Sequence, residues 1–237
     1  MSFSGQDIMG SVAVRAHKDI STAGSDDDLD TKEWVKQAIL HVQKADDFRC
    51  HKAAFSLTTA TTPALTAGTY AYALRTLLSD YRKLQGDSLR YGTHGIGWCE
   101  GPEAIDETLG PEWKDGTESG APDYATIVGN NLWLGPNPSA SWITDYGVAG
   151  VRGYYFRGED VTSANWEDAD LLFGDDFYTE VVEVSLIYAL QTEDDSTFQT
   201  LLQQWEAVGL TRLRGYDEVP LGNEPVRAPR WARRRAV

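Results

Sequence analysis

The chain has 237 residues, of which 41% are hydrophobic and 24% charged, the composition of an ordinary globular protein with a substantial core. Its net charge of −15 argues against a folded body that binds nucleic acid by neutralising phosphates, and its two cysteines exclude a disulfide framework. A chain of this length fits one large domain or two small ones. No stretch approaches the roughly 20 apolar residues that span a bilayer, so we expect no membrane segment.

Two segments near the start of the chain carry a helical period. Ser4, with Asp7 three residues later, is a candidate cap for the first helix. The second is predicted from about Asp30 to Lys44, because Asp30 and Glu33 resemble a capping box. The acidic run before it, residues 26–28, is interpreted as a loop that leads into this helix. The apolar face of the second helix consists of Trp34, Val35, Ala38, Ile39 and Val42.

Residues from about 52 to 158 are rich in Gly, Thr, Tyr and Pro, with short alternating runs separated by turn residues. This pattern predicts an all-β insertion. Within its fifth run, alternation turns Leu132 and Leu134 towards the core and Trp133 to the opposite face. The runs are Phe55–Thr59, Thr69–Leu74, Tyr81–Tyr91, Tyr124–Val128, Asn131–Leu134 and Val148–Phe156.

Metal sites find little support in the sequence. An EF-hand loop that starts at Asp26 would place Thr31 where glycine is needed and Gln37 where a bidentate glutamate is needed. A zinc site is conceivable only from four residues whose spacing matches no common zinc motif. We therefore predict no metal and no cofactor. The four residues are Cys50, His51, His94 and Cys99.

Carboxylates beside aromatic residues raise the possibility of a glycosidase. Glu100, Glu103, Asp106 and Glu107 lie near Trp98 in a Gly- and Pro-rich segment, where nothing in the sequence defines their separation. We interpret them as surface acids and predict no catalytic residues. A sugar-binding platform is a further alternative. Its candidate residues are Trp98, Trp113, Trp133, Trp142 and Trp166.

Two more helices follow the β-rich region. The third, from about Asp176 to Thr192, is apolar nearly all round, which predicts a central position in a bundle. The fourth starts at Ser196, where Gln199 completes a capping box, and Gly209 is its predicted stop. Since each helix pair lacks a full core alone, we expect the first and last pairs to pack together.

Charge is segregated along the second half of the chain. Residues 158–211 contain no Lys, Arg or His. The segment is interpreted either as a solvated acidic face or as a surface that faces a channel or a neighbouring subunit. The candidate residues for this acidic surface are Glu159, Asp160, Glu167, Asp168, Asp170, Asp175 and Asp176.

The last nineteen residues, 219–237, read as an extended arm. Pro220, Pro225 and Pro229 block regular helix and central strand, and Trp231 lies among arginines. Trp and Arg are enriched at binding hot spots, so the arm is interpreted as a docking segment, with a basic terminus of no specific role as the alternative. Its arginines are Arg227, Arg230, Arg233, Arg234 and Arg235.

The predicted fold class is therefore α+β, with an α-helical bundle formed by N- and C-terminal helix pairs and an antiparallel β-domain inserted between them. The bundle is assigned to residues 1–48 and 174–218, and the β-rich insertion to residues 49–173. The extended C-terminal docking arm occupies residues 219–237.

The segment Gly120–Pro138, which reads GAPDYATIVGNNLWLGPNP, resembles the head-to-tail adaptor (neck connector) proteins of tailed bacteriophages. Gly68–Leu74 is similar to a family strand, and Asp175–Gly209 to the closing helix pair. The chain departs from the family pattern at Arg75, where many relatives have proline, and in a long insert at residues 93–119.

This resemblance implies a structural, non-enzymatic protein of the virion neck, assembled in the host cytoplasm. Its partners would be the portal protein, neighbouring copies in a twelvefold ring, and tail or nozzle proteins. Genomic DNA would pass through the ring without sequence-specific binding. The resemblance also implies that the arm reaches onto the portal. The alternative function is a Trp-rich carbohydrate-binding tail module.

Overall fold

The computed structural model of the protein describes residues 3–115, 119–191 and 195–217. Within these residues it contains seven α-helices and ten short β-strands, which confirms the predicted α+β class. The chain divides into two compact units. The first comprises the described residues up to Cys50 and from Val161 onward, and the second is the continuous segment His51–Asp160.

The first helix of the first unit, α1 (Gly5–Ala16), begins with the predicted cap. The Ser4 hydroxyl accepts a hydrogen bond from the Asp7 backbone N–H, and the Asp7 carboxylate accepts one from the Ser4 backbone N–H. This reciprocal box satisfies amides that the start of a helix leaves without an intrahelical partner. The helix ends at His17, whose left-handed backbone (φ 55°) redirects the chain.

The second helix, α2 (Asp26–Ala45), begins earlier than predicted. The expected start at Asp30 is wrong because Ser25 supplies the cap, accepting a hydrogen bond from the Asp28 backbone N–H. The acidic run that was expected to form a loop fills the first helical turn instead. Carboxylates are favourable there because the helix dipole is positive at its N-terminus.

The third predicted helix, α6 (Tyr178–Ala189), is central as expected. It packs against α1, α2 and the last helix, α7 (Asp195–Asp217). Its nearly uniform apolar character is explained by these three contacts. The residues Val181, Val182 and Val184 are buried.

Helix α7 does not stop at Gly209, so the predicted end is wrong. Gly209 lies inside the helix, where its missing side chain makes room for Trp205 and Glu180. The glycine is therefore a packing residue here, not a helix terminator. The segment that precedes α6 also contributes to the core of the first unit through Trp166, Leu171 and Phe173.

The second unit contains two four-stranded sheets and a two-stranded pair. The first sheet is antiparallel with the order β1-β10-β3-β4, and the second has the order β2-β8-β7-β5, with β5 parallel to β7. The strands of the first sheet are β1 (Lys52–Leu57), β3 (Tyr81–Tyr91), β4 (His94–Gly95) and β10 (Val151–Arg157). Those of the second are β2 (Ala71–Ala73), β5 (Gly97–Trp98), β7 (Tyr124–Val128) and β8 (Asn131–Gly135). The parallel pair consists of β6 (Ser119–Gly120) and β9 (Asn137–Pro138).

Each of the six predicted alternating runs overlaps a strand, and β3 and β7 have the predicted bounds. The β7–β8 hairpin turns at Gly129 (φ 62°) and Asn130, where a positive φ favours glycine. Leu132 and Leu134 are fully buried and Trp133 is not, so the predicted alternation along β8 is confirmed.

The prediction of an all-β insertion is wrong, because three short helices interrupt the strands. They are α3 (Leu74–Leu77), α4 (Pro102–Leu109) and α5 (Ala140–Tyr146). Pro102 begins α4, where its fixed φ suits a helix and its missing N–H costs nothing. Ser139 caps α5 by accepting a hydrogen bond from the Trp142 backbone N–H. These local caps have the same sequence signature as turns between strands.

Candidate functional site

The predicted docking arm, residues 219–237, lies outside the described residues, which end at Asp217. The residues assigned to portal binding lie with it. They are Arg227, Arg230, Trp231, Arg233, Arg234 and Arg235. Within the described part of the chain, the candidate site is therefore the predicted acidic surface.

Most of the acids predicted for this surface are exposed. Asp168 ends a 3₁₀-helix that begins at Trp166, and Asp175 begins another that leads into α6. Short 3₁₀ turns of this kind connect longer elements and leave their polar side chains in solvent. The exposed members are Asp160, Asp168, Asp170, Asp175 and Asp176.

The other two predicted acids, Glu159 and Glu167, are engaged inside the fold. Glu159 Oε1 lies 3.1 Å from His51 Nε2, and the two side chains are 3% and 0% exposed. Glu167 Oε1 lies 3.0 Å from Lys32 Nζ on α2, and the hydrogen bond between them raises the pKa of Lys32. Burial alone would raise the pKa of Glu167, but hydrogen bonds to its own backbone and to Lys32 leave it lowered. These two carboxylates therefore belong to the interior.

Sequence reasoning missed a second charged surface, on the outer side of the first sheet. We call it the basic face and define it as Lys52 on β1, Lys83 and Arg90 on β3, and Arg152 on β10, with Tyr154 among them. All five side chains are exposed. They share one side because successive residues of a strand point to opposite faces and their cross-strand partners point the same way. The only signal in the sequence is the alternation of Arg152 and Tyr154 with buried residues along β10.

The tryptophans considered for a sugar platform do not form an exposed, coplanar set. Trp113, Trp142 and Trp166 are 0%, 5% and 7% exposed. Trp133 meets Trp113 edge to face, with an interplanar angle of 68°. Of the five, Trp98 alone is exposed, at 40%, and a ring that stacks on sugar must present its face to solvent. The set behaves as core aromatics, packed in edge-to-face pairs.

The acids of the glycosidase alternative are not arranged as a catalytic pair. Asp106, on α4, accepts hydrogen bonds from Trp113 Nε1 at 2.7 Å and from Lys114 Nζ at 2.8 Å. These bonds, with that from Lys114 the larger influence, lower the pKa of Asp106. A glycosidase general acid needs the opposite shift, towards neutral pH. Glu100, Glu103 and Glu107 are exposed.

Among the described residues, no group of three or more His, Cys, Asp or Glu side chains could hold a metal ion. Of the candidates for zinc, His51 faces Glu159 and His94 stacks on Tyr91 with ring centroids 5.3 Å apart. Within the described residues, every helix is too short or too polar to cross a bilayer.

Comparison with known proteins identifies the family. A search of curated proteins finds no match to this sequence. The sequence model of the SU10 adaptor protein family, in contrast, matches residues 4–229. The matched segment covers both compact units and the β7–β8 hairpin that carries the adaptor resemblance, which is thereby confirmed. Members of such a family are structural components of the virion neck that contact other neck proteins, and they are not enzymes. Since the match extends over nearly the whole chain, the protein belongs to the SU10 adaptor protein family.

Proposed function

We propose that the protein forms the adaptor ring between the portal and the tail of a phage virion. In this role it extends the channel through which genomic DNA passes and holds the tail or nozzle components. The family match over residues 4–229 is the observation that carries the proposal. The ring contains twelve copies, in register with the portal.

We further propose that the chain consists of a helical bundle with a β-rich domain inserted into it. The chain leaves the first unit after Cys50 and returns to it at Val161, an order that supports this assignment. We assign the helical segments to a bundle that closes through α6 and α7, and the β-rich unit to an inserted domain. The bundle takes the bounds of the sequence prediction, residues 1–48 and 174–218, within a first unit that also includes the segment 161–173.

The arm is proposed to dock onto the portal. Its three prolines already restrict the chain, so ordering it on a partner costs less entropy than ordering a flexible segment. Trp231 fills a pocket on the portal, and the surrounding arginines pair with portal carboxylates, as Trp and Arg do at binding hot spots. The arginines of the arm are Arg227, Arg230, Arg233, Arg234 and Arg235.

The net charge of −15 supports the remaining features of the proposal. Like charge keeps the DNA phosphates from adhering to the channel, so DNA passes without sequence-specific binding. Like charge also makes free subunits repel one another, which favours a subunit that stays monomeric until the portal templates the ring. The exposed acids from Asp160 to Asp176 supply part of this charge.

Native mass spectrometry of the purified protein, alone and mixed with the portal ring from the same virion, tests the proposal. At the low protein concentration of this measurement we expect a monomer alone and, in the mixture, a portal carrying a full ring, with few partly filled rings. A protein that remains monomeric beside the portal would refute the proposed function.

Deletion of residues 224–237 tests the role of the arm separately. The deletion begins seven residues after the end of α7 at Asp217, so the truncated protein should keep its far-ultraviolet circular dichroism spectrum. We expect it to fold and to lose binding to the portal. Binding at the wild-type level would show that the arm is not the docking segment.

A further inference from the structure

The basic face is an accumulation of positive charge on an acidic protein. Arg152 on β10 lies directly opposite Arg90 on β3, and Phe156 on β10 lies between Lys52 and Lys83 on the two neighbouring strands. The face therefore follows three adjacent strands of one sheet. It belongs to a chain with a net charge of −15.

The two arginines are unfavourable neighbours within one molecule. Side chains directly opposite in an antiparallel pair have Cβ atoms about 5 Å apart, where like charges destabilise the sheet. Among the described residues, no carboxylate forms an ion pair with Arg90, Arg152 or Lys52. Arg152 Nε donates to the Ala149 carbonyl at 3.0 Å, and Lys52 Nζ lies 4.5 Å from the centre of the Tyr154 ring.

The acid closest to this face along its strands does not neutralise it. Asp87 is exposed and lies in the segment of β3 between Gln85 and Arg90, where the register with β10 is interrupted. A bulged residue leaves the regular ladder, so Asp87 is not a cross-strand partner of any cation on the face. The sheet thus tolerates an unfavourable arrangement of charge that an anionic partner would turn into a favourable one.

We infer that the basic face binds the acidic surface of a second copy of this chain, so that adjacent subunits meet basic face to acidic surface. The inference rests on the proposed ring, since a closed ring is built from heterologous contacts between two different patches. The chain supplies the second patch itself. Residues 158–211 carry no cation, and the five aspartates of the acidic surface between residues 160 and 176 are exposed.

DNA is the less suitable partner for this face. Affinity for a duplex grows with the number of phosphates that cations neutralise, and here four cations belong to a body whose overall field repels a polyanion. A protein surface with a few carboxylates offers a charge that four cations can match. Contact between copies also reduces the repulsion among subunits of an acidic ring.

Reversal of one charge separates an interface role from a structural role. Arg152→Glu places a carboxylate opposite Arg90, which should raise the melting temperature of the isolated subunit because a like pair becomes an opposite pair. The same change should weaken association between copies by about tenfold, since it replaces attraction with repulsion at the interface. A purely structural role predicts that the melting temperature and the affinity between copies rise or fall together.

The matched control is Arg75→Glu, which makes the same change of charge at an exposed residue of α3, off the sheet. Both variants are compared with wild type for ring formation on the portal by native mass spectrometry. Arg75→Glu should behave as wild type, and Arg152→Glu should leave the portal with empty positions. Equal assembly by the two variants would overturn the inference.

Cross-linking tests the contact without relying on the portal. A zero-length reagent that couples carboxylates to amines is applied to a concentrated 1:1 mixture of isotopically light and heavy copies. We expect light–heavy peptides that join Lys52 or Lys83 to one of the exposed aspartates between residues 160 and 176. If these peptides form but no ring appears on the portal, the proposed function fails while the assignment of the face stands.

Two results would contradict the assignment of the face. One is the absence of mixed-isotope peptides containing Lys52 or Lys83. The other is that duplex DNA binds the wild type and Arg75→Glu at low salt but does not bind Arg152→Glu, which would identify the face as a DNA contact.

Discussion

Trp205 Nε1 donates a hydrogen bond to Glu180 Oε2 across 3.0 Å in the interior of the first unit. The bond joins α7 to α6, and the other carboxylate oxygen, Glu180 Oε1, lies 3.0 Å from Arg212 Nε on α7. Both oxygens of a carboxylate that is only 2% exposed are therefore satisfied by one neighbouring helix. A buried charge is tolerated only with such partners, so these contacts fix how the two closing helices pack.

The first prediction concerns the pH dependence of this contact. Burial raises the pKa of Glu180 above its ordinary value of 4.5, against the opposing influence of Trp205 and Arg212. An acid whose pKa is higher in the folded state favours folding at low pH, and this stability is lost as the pH rises through the folded pKa. Glu180→Gln removes the titration and keeps an oxygen that can accept from Trp205.

Wild type should therefore lose stability relative to Glu180→Gln as the pH rises above the ordinary pKa of 4.5 and through the higher pKa of the folded state. Urea unfolding at a series of pH values measures the difference. Glu33→Gln, on the exposed side of α2, is the control that makes the same chemical change at the surface. A difference that is constant with pH, or one that favours wild type at high pH, would contradict the prediction.

The second prediction compares Gly209 and Gly215, both in α7. A Cβ at position 209 would overlap the Trp205 indole and lie 2.8 Å from Glu180 Oε2, whereas a Cβ at position 215 would meet nothing within 4 Å. Gly215→Ala should stabilise the protein by up to about 1 kcal/mol, because alanine is the better helix former. Gly209→Ala gains the same propensity but should be destabilising by about 1–3 kcal/mol, because overpacking displaces the indole.

Thermal unfolding of the two alanine variants decides this point, since they share the chemical change and differ in environment. If Gly209→Ala were as stable as Gly215→Ala, the Trp205–Glu180 contact would not require the glycine.

Local signals were sufficient to predict much of this fold. The Ser4–Asp7 box and the strand Tyr81–Tyr91 were found because caps and alternation depend on residues close together in sequence. The start of α2 was missed because Ser25 and Asp30 are both competent caps, and only the packing of the whole helix distinguishes them. Gly209 was misread because the glycine that ends a helix and the glycine that admits a neighbour look alike in sequence.

The candidate surfaces were harder to predict because they depend on long-range pairing. Acid content alone assigned Glu159 to the surface, but its partner His51 is 108 positions away in the sequence. The basic face likewise exists only because the register of the first sheet brings Arg90 opposite Arg152. No periodicity in one strand reveals which strand becomes its neighbour.

The third prediction is that the buried pair of His51 and Glu159 stabilises the second unit. Removal of one partner of a buried hydrogen bond leaves the other polar group without it, so His51→Gln and Glu159→Gln should each lower the free energy of unfolding by about 1–3 kcal/mol. The double variant should lose less unfolding free energy than the sum of the two single losses, with a coupling energy of about 1–3 kcal/mol. Denaturant unfolding of the four proteins completes the cycle.

An exposed acid in the same unit provides the control for that cycle. Asp145→Asn should change the unfolding free energy by less than about 0.5 kcal/mol, as is usual for surface substitutions. Strict additivity of the His51 and Glu159 losses would show that the 3.1 Å contact contributes nothing of its own.

The last prediction separates the two kinds of residue in the docking arm. If Trp231 fills a portal pocket, Trp231→Ala should weaken portal binding by about 30-fold or more at every salt concentration, as expected for an aromatic hot spot. If the arginines pair with portal acids, replacement of Arg230, Arg233 and Arg234 by glutamine should weaken binding most at low salt, because screening already weakens exposed ion pairs at high salt. Affinities measured by fluorescence anisotropy at two salt concentrations resolve both effects. Equal losses for the two variants at both salt concentrations would mean that the arm binds as an undifferentiated basic segment, with no pocket for the tryptophan.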